Sequence, residues 1–174
     1  MIRALCLSFA VLFSFGIGDG QDNAKPFDDA SLTKQQQEDI LRVTGEQSED
    51  DDIPDKPFIE FLSLSTNKTR PQQIVVWRGT GGMGNKDIWM FQQIGNRAVL
   101  ILEGGGGSMY GTLKSVHHGM HDFITFWNLG GGTGGNKVFE FDGRRYRSAY
   151  CFDTIALGTD TEPEKDGPHY SCNH

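Results

Sequence analysis

The sequence predicts a mainly β protein, a small antiparallel sandwich or barrel-like domain with a short N-terminal helix. Three observations carry this prediction. From Pro57 onward the chain is a series of short apolar runs separated by Gly, Asn and Asp, the punctuation of antiparallel strands. Asp142-Gly143 in VFEFDGRRY tolerates the left-handed dihedrals of a tight hairpin turn, and Gly95-Asn96 in FQQIGNRAV has the same character. The body also repeats itself. IVVWRGTGGMGNK at 74–86 and ITFWNLGGGTGGNK at 124–137 each pass from an apolar run ending in Trp77 or Trp127 into a glycine loop and then Asn-Lys.

The chain opens with MIRALCLSFAVLFSFGIGDGQ: a basic start at Arg3, an apolar stretch from Leu5 to Ile17, and small residues suited to cleavage after Gly18 or Gly20. This is the pattern of a secretory signal peptide over 1–20. The stretch is shorter than the ~20 apolar residues a spanning helix needs. Export to a secreted or periplasmic location is therefore expected, with no membrane span after cleavage. Residues 21–56 are rich in Asp, Gln and Lys and end in SEDDDIPDK, which reads as an acidic linker with too few apolar residues to build a core. Within it, SLTKQQQEDILRVT at 31–44 contains good helix formers and stops at Gly45, although Leu32, Ile40, Leu41 and Val43 form only a partial stripe.

Residues 57–174 form the expected single β domain. Strands are predicted near 58–64, 72–78, 87–93, 97–103, 109–116, 122–128, 137–142 and 145–152. The charge is uneven: residues 21–60 carry 4 bases and 12 acids, 61–150 carry 10 and 5, and 151–174 carry 1 and 5. A mildly basic body thus lies between two acidic ends. After removal of Cys6 with the leader, Cys151 and Cys172 remain and are expected to pair in an oxidising compartment, tying the C-terminal tail to the last strand.

Gly79, Gly81 and Gly84 spell G-x-G-x-x-G after IVVW, the outline of a dinucleotide-binding turn. That fold needs a helix behind the glycines. Here such a helix would carry Gly95 and Asn96 inside it, and the repeat pairs NKDIWMFQQI with the hairpin-like NKVFEFDGRRY. A hairpin is the better reading, with the glycines serving as loops at the end of a small sandwich or barrel.

The sharpest cluster of potential ligands is HHGMHD, with His117, His118, His121 and Asp122 within six positions. Zinc takes three or four N, S or O ligands, usually from more than one element. A turn leading into the strand DFITFW explains the same residues without a metal. No cofactor is therefore expected, and zinc at this cluster is the alternative. No G-x-S-x-G or Walker pattern occurs, and two carboxylates suited to glycoside hydrolysis are not evident. Trp77, Arg78, Tyr110, Trp127 and Arg144 are the candidate binding residues. Bases and rings lie on separate strands of an acidic chain, which argues against nucleic acid as partner.

Over residues 74–147 the string WRGTGG, a glycine turn before DFITF, and the closing FDGRRY resemble a loose group of small bacterial exported proteins with a WRGTGG strand end and an F-D-G-x-x-Y close. The resemblance implies a bacterial, exported β protein and brings no catalytic residues with it. The chain departs from the group in having no cysteine in its first glycine loop, where some members carry a pair. The combined expectation is an exported, non-enzymatic binding protein, an inhibitor or partner of an extracytoplasmic or cell-wall protein. The alternative is a metal-dependent hydrolase using HHGMHD.

Overall fold

The computed structural model describes residues 24–45, 57–81, 84–130, 133–155, 165–166 and 168–172. The signal peptide expected at 1–20 and the acidic run 46–56 lie outside the described residues. In chain order the elements are β1 (Lys25–Pro26), a 3-10 turn (Phe27–Asp29), α1 (Lys34–Thr44), β2 (Phe58–Leu62), β3 (Gln73–Gly81), β4 (Asn85–Ile94), β5 (Arg97–Leu102), β6 (Met109–His117), β7 (Met120–Gly130), β8 (Thr133–Phe141), β9 (Tyr146–Ile155) and β10 (Lys165–Asp166). Each of the eight runs read as strands contains one.

The strands form two antiparallel sheets, β1-β2-β3-β4-β5 and β10-β9-β8-β7-β6, neither closed into a barrel. Each sheet is a meander of four long strands with a two-residue strand added at one edge. The repeated string occupies the same place in both: it spans the second hairpin of each meander, β3–β4 in the first sheet and β7–β8 in the second. The register is interrupted just past the tryptophan in both hairpins, between Arg78 and Gly81 and between Asn128 and Gly130.

Alternation along the strands fixes which side chains meet. Val75, Ile88, Met90 and Leu102 of the first sheet pack against Phe123, Phe139 and Tyr146 of the second, with Leu64 and Met120 closing one end. Phe123 sits at the centre of this layer, its ring centroid 5.7 Å from that of Tyr110 and 6.4 Å from those of Phe139 and Tyr146. The intervening residues of the first sheet, Ile59, Ile74, Val76, Phe91 and Ala98, face the opposite way and are buried with Phe27, Ala30 and Ile40. A strand covered on both faces reads as a continuous apolar run, which explains IVVW.

The helix forms where the sequence places it, but residues 24–45 are docked rather than a loose linker. Thr33 caps α1 through a reciprocal box: its hydroxyl accepts from the Gln36 amide at 3.2 Å, and the Gln36 side chain accepts from the Thr33 amide at 3.0 Å. The partial apolar stripe suffices because a buried carboxylate supplements it. Asp39, 1% exposed, accepts two hydrogen bonds from the Arg97 guanidinium at 2.6 and 2.9 Å and one from the Ala98 amide at 3.0 Å. These donors hold its carboxyl down to about 2, the Arg97 hydrogen bond contributing most against the cost of burial.

Cys151 and Cys172 are paired, with Cα atoms 5.2 Å apart. The tail is also held by a two-way backbone bridge between Cys151 and Tyr170, both bonds 2.8 Å, and by His169 stacked on Tyr150 with centroids 4.2 Å apart. Among the described residues no helix is long and apolar enough to cross a membrane.

Candidate functional site

The two glycine hairpins reach the same end of the sandwich and clasp each other there. The Asn85 amide group donates to the Asn128 carbonyl at 3.1 Å, and the Asn128 backbone N–H donates to Asn85 Oδ1 at 3.0 Å. Beside this clasp lies an open cleft of about 550 Å³. One wall comes from the first sheet, through Arg78, Lys86 and Asp87. The facing wall comes from Trp127, Lys137 and the Cys151–Cys172 pair with Tyr170, and the glycine run after β5 contributes bare backbone. The G-x-G-x-x-G string begins within β3, which runs to Gly81, and is followed by the strand β4 at residues 85–94 rather than by a helix; Gly79 and Gly84 have positive φ angles of 92° and 76°.

Two glycines on β8 have a different task, to seat aromatic rings. A Cβ at Gly135 would stand 2.1 Å from Trp127 Cζ2, and one at Gly134 would stand 2.2 Å from Phe126 Cζ. The Trp127 ring therefore lies directly against backbone, where it forms part of the cleft wall. In the matching hairpin, Trp77 stacks on Phe58 with centroids 4.3 Å apart and planes inclined by 10°, and Lys86 Nζ stands 3.8 Å from its ring centre. The indole nitrogen of Trp77 is buried without a hydrogen-bond partner among the described residues.

The cleft thus presents two ammonium groups, Lys86 and Lys137, from equivalent positions of the repeat. Among the described residues neither forms an ion pair. Burial pushes the Lys86 ammonium below its ordinary range, so its charge is incompletely solvated where it stands. An anionic group entering the cleft would meet both.

Of the five candidate binding residues, Trp127 and Arg78 line the cleft and Trp77 lies directly behind Lys86. Arg78 is 9% exposed and donates to the carbonyls of Thr44 and Gly45 at 3.0 and 2.9 Å, which closes the C-terminus of α1. Tyr110 belongs to the inter-sheet core, where its hydroxyl donates to the buried carboxylate of Glu60. Burial raises the Glu60 carboxyl, opposed by that hydrogen bond. Arg144 is on the β8–β9 turn, at the opposite end of β8 from the glycine hairpin. Sequence reasoning passed over Lys86 and Lys137, although the repeated Asn-Lys was the signal that marks them.

The four potential ligands of HHGMHD do not meet at one point. His117 Nδ1 is 2.7 Å from Asp122 Oδ1 on the adjacent strand β7, and its Nε2 is 3.8 Å from Glu140 Oε2 on β8 beyond it. His121 turns its Nδ1 to the Leu113 carbonyl at 3.1 Å. His118 occupies the hairpin turn at φ 49°, beside the turn at Gly143. The group that does assemble is His117, Asp122 and Glu140, from three neighbouring strands. The Asp122 hydrogen bond raises the His117 imidazole above its usual range, with Glu140 adding to the effect.

No protein-family model matches the chain, and comparison with curated proteins and with solved structures finds no match.

Proposed function

We propose that the protein is an exported, non-enzymatic binding protein that receives an acidic segment of an extracytoplasmic protein, such as a cell-wall enzyme, in the cleft between its glycine hairpins. One observation carries the reading: Lys86 and Lys137, each following its own glycine loop, face a single open cleft, and among the described residues neither is paired with a carboxylate. Two lysines act as point charges that attract and orient an anion. Trp127 adds a rigid apolar surface of the kind that anchors protein interfaces. Export is supported by the signal-like N-terminus and by the Cys151–Cys172 pair. Partner capture from an envelope extract, compared between the native protein and a Lys86→Glu/Lys137→Glu double variant, tests the proposal. The native protein should retain a partner in a salt-sensitive way, the double variant should lose it, and Arg144→Glu should keep it. Equal capture by native protein and double variant would overturn the assignment.

A second reading, zinc-dependent hydrolysis, draws on the proximity of His117, Asp122 and Glu140. Hydrolytic activity that disappears with a chelator and returns with zinc would favour it over the binding protein.

A further inference from the structure

We infer that the far end of the second sheet carries a binding site for a zinc-class divalent cation, with His117 Nε2 and Glu140 as protein ligands and Asp122 as the residue that orients the imidazole. Nothing in this depends on the cleft or on hydrolysis. Asp122 is 2% exposed, yet its carboxylate is bonded to His117 Nδ1 at 2.7 Å. That bond fixes the ring and leaves Nε2 as the outward nitrogen, on a side chain 44% exposed. Nε2 in turn stands 3.8 Å from Glu140 Oε2, whose side chain is 40% exposed. A metal-ligating histidine characteristically donates its other ring N–H to a carboxylate, which sets the tautomer and strengthens the ligand. The present arrangement has that form, with a buried carboxylate behind the imidazole and a second carboxylate in front.

Charge and element choice agree with this. Two carboxylates and a neutral imidazole sum to −2, which a dication balances. Imidazole with carboxylate suits zinc and its neighbours, whereas magnesium prefers oxygen ligands. Two protein ligands leave coordination positions for water, so the site is open rather than a closed four-residue structural centre. The ligands come from β6 and β8 with the orienting residue on β7, so an ion would tie three strands together across the end of the sheet.

The test uses untagged protein freed of metal by chelation and titrated calorimetrically with zinc chloride. One zinc per chain should bind, and magnesium at the same concentration should not. His117→Ala and Glu140→Gln should each weaken zinc binding by 100-fold or more, and Asp122→Asn by about 10–100-fold, the range for lost outer partners of a ligand. His118→Ala and His121→Ala should leave it within twofold, which separates this site from the full HHGMHD cluster. Should His117→Ala fail to fold, the 15N shift of His117 Nε2 on adding zinc to the native protein decides the matter. An unmoved Nε2 resonance, or zinc binding that survives both His117→Ala and Glu140→Gln, would overturn the site.

Discussion

At the scale of single residues, the glycine content proves to be several different requirements. Gly135 is needed because the Trp127 ring occupies the space of its Cβ. Gly135→Ala should force that ring off its seat, at a cost of roughly 1–3 kcal/mol for overpacking. Near-ultraviolet circular dichroism should change and the urea midpoint should fall. An unaltered spectrum would mean that the ring is not held there. Asp39 makes a prediction of another kind. Its folded carboxyl lies at about 2, against about 3.9 for an unfolded aspartate. A depressed carboxyl contributes stability that is present above pH ~4 and is lost as pH falls toward 2. Asp39→Asn should lower stability at neutral pH by roughly 1.5–3 kcal/mol, the range for hydrogen bonds to a charged group. It should also flatten the loss between pH 4 and 2, as urea titrations at a series of pH values would show. Neither role was legible in the sequence. A glycine under a ring looks like any loop glycine, and nothing near Asp39 in the chain announces Arg97, which is 58 positions away.

At the scale of elements, periodicity and turn chemistry located every long strand. They depend only on neighbours in sequence, and each hairpin here is local. The same reasoning failed for residues 24–45, because it judged the segment by its own apolar content. Docking instead draws on the far face of the first sheet, which already offers Ile59, Ile74, Val76, Phe91 and Ala98. The C-terminal tail shows a similar dependence. Its expected tie to β9 is present, and the Cys151–Tyr170 bridge and His169 stacking hold it as well. Reduction of Cys151–Cys172 should therefore lower stability by about 3 kcal/mol or less on a chain-entropy estimate while leaving the sheets assembled. Parallel denaturation curves with and without reductant, with alkylation mass spectrometry to count thiols, would check this. Loss of the β spectrum on reduction would show that the tail holds up the sandwich. Because the pair forms part of the cleft wall, the same samples should also differ in partner binding.

At the scale of the whole molecule, the antiparallel class and the doubled hairpin were readable from the chain, but the cleft was not. Its walls are brought together by the stacking of two sheets, and only the repeated Asn-Lys hinted that Lys86 and Lys137 have a shared setting. The two-meander layout has a consequence for how the chain can be divided. Among the described residues, the four long strands of the first sheet precede Gly104 and the four of the second follow it, and none crosses from one sheet to the other. A cut between Glu103 and Gly104 would leave each half with its full set of long strands and an uncovered apolar face, Val75, Ile88 and Met90 on one and Phe123 and Phe139 on the other. Separately expressed pieces 21–103 and 104–174 should each be poorly folded alone and should recombine on mixing into a one-to-one complex with the β spectrum of the intact chain. The bonds from Gly105 to Ile88 and between Gly107 and Lys86 would rejoin across the break. Failure of the pieces to associate at micromolar concentration would show that the glycine run 104–107 is an essential covalent hinge. Success would make the protein a natural split reporter, whose halves regain the tryptophan and lysine cleft only in each other's presence.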